Sequence, residues 1–183
     1  MKHPLEVINY DCRDCKLYKH RTLVVWGNYN PLAKIVFMGE GPGEDEDLSG
    51  FAFVGRSGRL LVRFIKAIGF DTDNVLFLNL IRCRPPNNRN PKKDEIRACS
   101  KYLKRQLRCC PNLKVMVCLG RVPWNGMTGR SDPVTKNHGK VINKGNLKML
   151  YTYHPSYILR NNTPEVKKDF IRDLRKAFKL AGA

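Results

Sequence analysis

Gly39-Glu-Gly-Pro-Gly-Glu-Asp-Glu-Asp-Leu-Ser-Gly-Phe-Ala-Phe-Val-Gly-Arg-Ser-Gly58 lies between an apolar run, Ile35 to Met38, and an amphipathic one, Leu60 to Ile68. That order reads as strand, long loop, helix. The stretch carries glycines at 39, 41, 43, 50, 55 and 58, so its backbone can turn freely and approach a ligand closely. A dinucleotide fingerprint needs Gly-x-Gly-x-x-Gly, and Gly41-Pro-Gly-Glu-Asp-Glu46 lacks the last glycine. The acids Glu44 to Asp47 would also repel a pyrophosphate. The loop therefore faces something other than a nucleotide cofactor.

Outward from this loop, apolar runs alternate with helical patterns. Val75 to Ile81 reads as a second buried strand carrying one polar residue, Asn79. Val115 to Leu119 is a third, and Leu147 to Tyr151 a fourth, running into Tyr153-His-Pro-Ser-Tyr-Ile-Leu-Arg160. Helical spacing appears at Leu60 to Ile68 with Ser57 as a plausible cap, at Lys92 to Arg108, and at Pro164 to Leu180. Residues 1–30 read as irregular, Cys83 to Pro91 as a loop, and Val134 to Lys144 as a polar hairpin or loop. The alternation predicts a parallel sheet covered on both faces, in one domain spanning residues 1–183. Ligands of such sheets bind beyond the carboxyl ends of the strands. Glu40 to Asp47, Asn79 and His154 are all expected at those ends.

Composition limits the partners. The 183 residues carry 34 Lys+Arg against 16 Asp+Glu, a formal charge of +18. A surplus of that size implies a polyanion, with DNA or RNA first, although a merely basic or Lys-rich thermophilic surface would also give it. No apolar run approaches a membrane span and the N-terminus lacks a signal-peptide core, so an intracellular protein without membrane contact is expected. In that setting seven cysteines suit ligands or buried thiols better than disulfides. Cys109, Cys110 and Cys118 flank or lie within an apolar run. Cys12, Cys15, Cys83 and Cys99 sit among polar or turn residues. The pair Cys12-x-x-Cys15 with two more cysteines about 70 residues later fits zinc, an iron–sulfur cluster or no metal at all.

His154 and Asn79 each have a plain reading too: a hydrogen-bonded structural histidine, and a core amide holding a loop. Together, however, Cys12-x-x-Cys15, Gly39-Glu-Gly-Pro-Gly43, Gly50-x-x-Phe53-Val-Gly55, Asn79, Cys83-Arg-Pro-Pro86, Cys99 and His154-Pro-Ser-x-x-Leu-Arg160 resemble the family 4 uracil-DNA glycosylases. The resemblance runs from Cys12 to Arg160. It implies a three-layer α/β/α fold around a four-stranded parallel sheet. It also implies a [4Fe–4S] cluster on Cys12, Cys15, Cys83 and Cys99, stapling the N-terminal arm to the domain. With a cluster charge of −2 on its four thiolates, the holo-protein would carry 18 − 2 = +16.

The implied activity is hydrolysis of the bond between uracil and deoxyribose, in single- or double-stranded DNA, leaving an abasic site; a monomer is expected. On this resemblance Phe53 stacks on the base, Asn79 pairs with N3–H and O4, and His154 donates to O2. Glu46 lines the C5 side, where it would exclude thymine's methyl. Gly41 stands where the best-known uracil glycosylases carry a catalytic aspartate, so water activation falls to another group, with Glu40 and Glu46 nearest in sequence. Ser156, Ile158, Leu159 and Arg160 are implied to meet DNA, the apolar pair as a wedge and Arg160 at phosphate; an ordinary first helical turn is the alternative. Ala52 departs from the family's usual proline. The competing readings are a non-catalytic iron–sulfur nucleic-acid-binding module and a glycosylase of wider range that accepts deaminated purines.

Overall fold

The computed structural model of the chain describes residues 8–182. Five strands form one sheet in the order β2-β1-β3-β5-β4. They are β1 (Ile35–Gly39), β2 (Val75–Asn79), β3 (Val115–Leu119), β4 (Val141–Lys144) and β5 (Leu147–Thr152). The first four in that spatial order run parallel, and β4 pairs antiparallel with β5 at the edge. The expected four-stranded parallel sheet is thus extended by a fifth strand. Residues 134–144, read as a polar hairpin or loop, hold β4 and a short helix, α5 (Val134–Asn137). β4 escaped the sequence reading because it is half-exposed and half polar, Val-Ile-Asn-Lys. Its register comes from backbone pairing with β5 through the turn at Gly145, which takes φ +59°.

The central strands are apolar throughout because both faces are covered. Alternate side chains of β1 enter different cores. Ile35 and Phe37 pack with Leu61 and Ile65 of α2 (Arg56–Ala67) and with Phe170, Leu174 and Phe178 of α7 (Pro164–Ala181). Val36 and Met38 pack with Leu103 of α3 (Lys93–Arg108) and Trp124 of α4 (Arg121–Thr128). Helices therefore lie on both faces of the sheet. α2 starts from Gly55, with no side-chain cap; the proposed cap Ser57 lies inside the helix. Gly69 stops it at φ +87°.

Two further segments are helical, the first read as loop and the second as a wedge or an ordinary first helical turn. The acidic part of the long loop is a helix, α1 (Glu44–Ser49), and the stretch after His154 is another, α6 (Pro155–Arg160). A third, smaller cluster ties the N-terminal arm down: Leu17, Val24 and Trp26 pack with Ile81, Cys83, Cys99 and Tyr102. Outside a 3-10 turn at Lys16–Lys19, the described part of residues 8–30 carries no helix or strand.

Candidate active site

Parallel pairing sets Gly39 beside Asn79, so the loops leaving β1 and β2 emerge side by side. β5 ends at Thr152, paired with Leu119, and delivers His154 to the same rim. A cleft of about 730 Å3 opens there, lined by Glu40, Gly41, Phe53, Asn79, His154 and Ser156 among others. That volume is in the range of small-molecule sites. Glu46 and Arg160 line it too.

The glycines of the loop act by leaving room. A Cβ on Gly39 would overlap Asn79 Oδ1 and stand 3.0 Å from Phe53 Cζ. A Cβ on Gly41 would stand 2.8 Å from Ile81 Cγ1, so a side chain here would require Ile81 to shift. Phe53 itself sits at φ +60°, a left-handed conformation costly for an aromatic residue. Gly58 holds it there: a Cβ on Gly58 would overlap the Phe53 carbonyl. The ring rests on Phe77 with centroids 5.2 Å apart, leaving its position fixed by the sheet.

Asn79 is 6% exposed, yet among the described residues its side-chain amide makes no hydrogen bond. Its amide atoms are not sealed off without a partner, as Trp26 Nε1 is; they open onto the cleft, where a ligand can pair with them. His154 caps α6 through Nδ1, which accepts from the Ser156 N–H at 3.1 Å and lies 2.8 Å from Ser156 Oγ. Burial, reinforced by the positive Arg160, pushes the His154 pKa down to about 4. The imidazole is therefore neutral above that pH, with its proton on Nε2. Burial raises the pKa of Glu40, opposed by Arg121.

Glu46 has a task the sequence reading missed. Its Oε1 accepts from the Gly55 N–H at 2.8 Å and its Oε2 from the Gly43 N–H at 3.0 Å. The carboxylate braces the two ends of the loop that carries Phe53. Asp47 likewise accepts from the Thr22 and Leu23 N–H groups, tying in the arm. Ile158 is corrected: it is 1% exposed and packs in the core with Leu61 and Phe170, because α6 turns that face inward. Leu159 stands 39% exposed on the same turn.

A second, smaller pocket gathers Cys12, Cys15, Cys83 and Cys99 with Arg21, Trp26, Arg82 and Tyr102. None of the seven cysteines forms a disulfide. Burial pushes the Cys83 thiol up to about 12, against the pull of Arg21, and raises Cys15 and Cys99 as well. Arg21 Nη1 reaches Cys83 Sγ at 3.5 Å and the Cys12 carbonyl at 2.7 Å. Trp26 Nε1, on the same wall, is the buried side-chain N–H that finds no partner among the described residues. Four soft donors beside two arginines and an unused N–H, with Asp14 the one carboxylate among the lining residues, fit an anionic sulfur-ligated group. Among the described residues no three His, Cys, Asp or Glu side chains gather tightly enough to hold a single metal ion. Cys110 and Cys118 are buried in the other core, as expected of packing thiols.

Comparison with known proteins identifies the family. A profile of the Uracil DNA glycosylase superfamily matches residues 26–175. A type-4 uracil-DNA glycosylase of Thermotoga maritima is 40% identical over 168 residues, covering 91% of this chain and 87% of that protein. A type-4 enzyme of Sulfurisphaera tokodaii is 41% identical across 96% of this chain and 82% of its own length. One from Archaeoglobus fulgidus is 38% identical across 93% and 88%. With Phe53, Asn79 and His154 gathered at the carboxyl edge of its sheet, the chain belongs to the uracil-DNA glycosylase superfamily, on its type-4 branch.

Proposed function

We propose that the chain excises uracil from DNA by taking the flipped nucleotide into the cleft between β1, β2 and β5. The observation that carries this reading is that Asn79 and His154 offer unused hydrogen-bonding atoms to a space walled by Phe53. A base stacked in a duplex is unreachable, and flipping costs about a few kcal/mol. Stacking on Phe53 returns roughly 1–3 kcal/mol per base. The Asn79 amide accepts from uracil N3–H and donates to O4, a pattern that cytosine reverses. Neutral His154 donates from Nε2 to O2, where negative charge accumulates as the glycosidic bond breaks. Of the four carboxylates lining the cleft, Glu46 is clamped to backbone and Glu44 and Asp45 are exposed; Glu40, half-buried with a raised pKa, is assigned to the attacking water. Glu46 closes the C5 side while bracing the loop. Leu159 and Arg160 reach toward the opened duplex, the first at the vacated stack and the second at phosphate.

Cys12, Cys15, Cys83 and Cys99 are assigned to a [4Fe–4S] cluster. In such a cluster each thiolate binds its own iron, so the sulfurs stand farther apart than around one ion. The group serves here as a staple between the arm and the loop after β2. The reading is tested with the as-isolated protein on a U·G duplex. Free uracil and an alkali-sensitive abasic site are expected, with about four irons per chain. Binding without release of uracil would favour the non-catalytic module. Colour that survives Cys83→Ser combined with Cys99→Ser would remove the cluster assignment.

A further inference from the structure

Arg82 is a buried cation without a carboxylate. It is 2% exposed, in the turn that joins Asn79 to Cys83, and it takes part in no salt bridge among the described residues. Arginine stays protonated in proteins, so a whole positive charge is held inside. Such a charge is strongly disfavoured unless something opposite offsets it. Arg82 lines the pocket that gathers Cys12, Cys15, Cys83 and Cys99, where a bound anionic group would supply the opposite charge.

The guanidinium fork ties the end of β2 to α3. Nη1 donates to the Asn79 carbonyl, and Nε and Nη2 donate to Gln106 Oε1. Gln106 Nε2 in turn donates to the Trp26 carbonyl at 2.6 Å, and the Val25 N–H donates to the Arg82 carbonyl at 2.8 Å. The N-terminal arm, α3 and the end of β2 are thus joined through Arg82 and Gln106.

We propose that Arg82 is a positioning residue that makes the base-reading Asn79 depend on the cysteine-held group: that group's negative charge keeps the guanidinium inside, and the guanidinium clamps the Asn79 backbone. The proposal rests on Asn79 reading the base and on the four cysteines carrying the cluster. Neutral thiols would leave Arg82 without a counter-charge, so the apo-protein should lose the clamp even where its sheet survives. The bound group has no other described cation buried so deeply beside it. Arg21, which also touches Cys83, is partly exposed.

The test uses full-length holo-protein with Arg82→Met, which keeps bulk and loses charge and fork, and Arg82→Lys, which keeps charge and loses the fork. Iron content, the cluster's reduction potential, affinity for uracil-containing DNA and single-turnover excision are measured for each. Arg82→Met is expected to hold its iron and bind DNA as before, while excision falls about tenfold, the scale of a lost charge-assisted hydrogen bond. Its potential should move negative, because the more reduced, more negative cluster loses a nearby cation. Arg82→Lys should keep the potential and lose part of the excision, and it serves as the folded variant if Arg82→Met does not accumulate. In a double-mutant cycle, Arg82→Met should add little to Asn79→Ala. Full additivity, or unchanged excision, would overturn the clamp. An unmoved potential with iron retained would overturn the counter-charge. The underlying readings fail separately: wild-type protein without iron removes the cluster, and undiminished excision by Asn79→Ala alone removes the base reader.

Discussion

His154 Nδ1 accepts a hydrogen bond from the Ser156 backbone N–H, a group that can only donate. The contact fixes the neutral tautomer with the proton on Nε2 and opposes a second proton on Nδ1. Burial acts in the same direction, holding the pKa near about 4 against an ordinary 6.5. The folded state therefore binds fewer protons than the unfolded chain between these values. Stability contributed by neutral His154 is complete above pH 6.5 and is lost as pH falls toward 4. Heteronuclear NMR should find one Nε2–H signal unchanged from pH 8 to 5. Titration near the ordinary histidine value would remove the neutral-donor reading.

His154→Ala should slow the chemical step by about 10²–10³ while DNA affinity is kept, since the contact strengthens only as charge develops. Single-turnover excision and equilibrium binding separate the two quantities. Equal losses in both would make His154 a structural residue.

Gly39→Ala puts a methyl group where Asn79 Oδ1 now lies and 3.0 Å from the Phe53 ring. One of the two must move, and misplacement of a contact group by about 1 Å can cost 10²-fold in rate. Excision should fall by that order with iron and salt-dependent DNA binding retained. A variant of near wild-type rate would mean that the amide in solution does not stand over Gly39.

Glu46→Gln keeps the bulk of the side chain and turns one acceptor into a donor facing a backbone N–H. Leaving that buried donor unpaired costs about 1–3 kcal/mol. The melting temperature should drop, and excision should drop with it as the Phe53 loop loosens. Thymine should still be refused, because the bulk on the C5 side is unchanged. Release of thymine from a T·G duplex by this variant would assign the exclusion to the brace instead of the bulk.

What could be read along the chain, and what could not, follows from the range of the forces involved. β1, β2, β3 and β5 announce themselves because buried parallel strands need unbroken apolar runs, and α2, α3 and α7 because their inner faces repeat at helical spacing. Glycine, asparagine and histidine at strand ends then locate the cleft. α1 was hidden in an acid run, although Glu46 three residues after Gly43 is the spacing of a residue that reaches back to cap its own helix. α4 was hidden by Pro123 and Gly126. Arg82 could not be read at all: it meets Gln106 across twenty-four residues, and its burial depends on that tertiary contact. Ile158 and Leu159 looked alike as a pair, and only the docking of α6 turns one inward and the other out.

Asn79→Asp is the sharpest test of base reading, since it changes hydrogen-bond polarity and almost nothing in shape. Uracil presents a donor at N3 and an acceptor at O4; cytosine presents an acceptor at N3 and a donor at N4. The wild-type amide, unpartnered and 6% exposed, matches the first pattern and in the same orientation clashes twice with the second. In the variant one oxygen still accepts from uracil N3–H, while the other faces O4, lone pair against lone pair. A buried polar group left unpaired costs about 1–3 kcal/mol, and more when charged. Uracil excision should fall at least about tenfold. Cytosine gains an acceptor for its N4 amine, and a proton shared between the carboxylate and N3 completes the pair. That proton becomes more available as pH falls, so weak cytosine release should rise from pH 8 toward pH 6. The measurement is release of each free base from matched oligonucleotides by Asn79→Asp across that range. Full uracil activity with no cytosine release at any pH would show that Asn79 does not read the base.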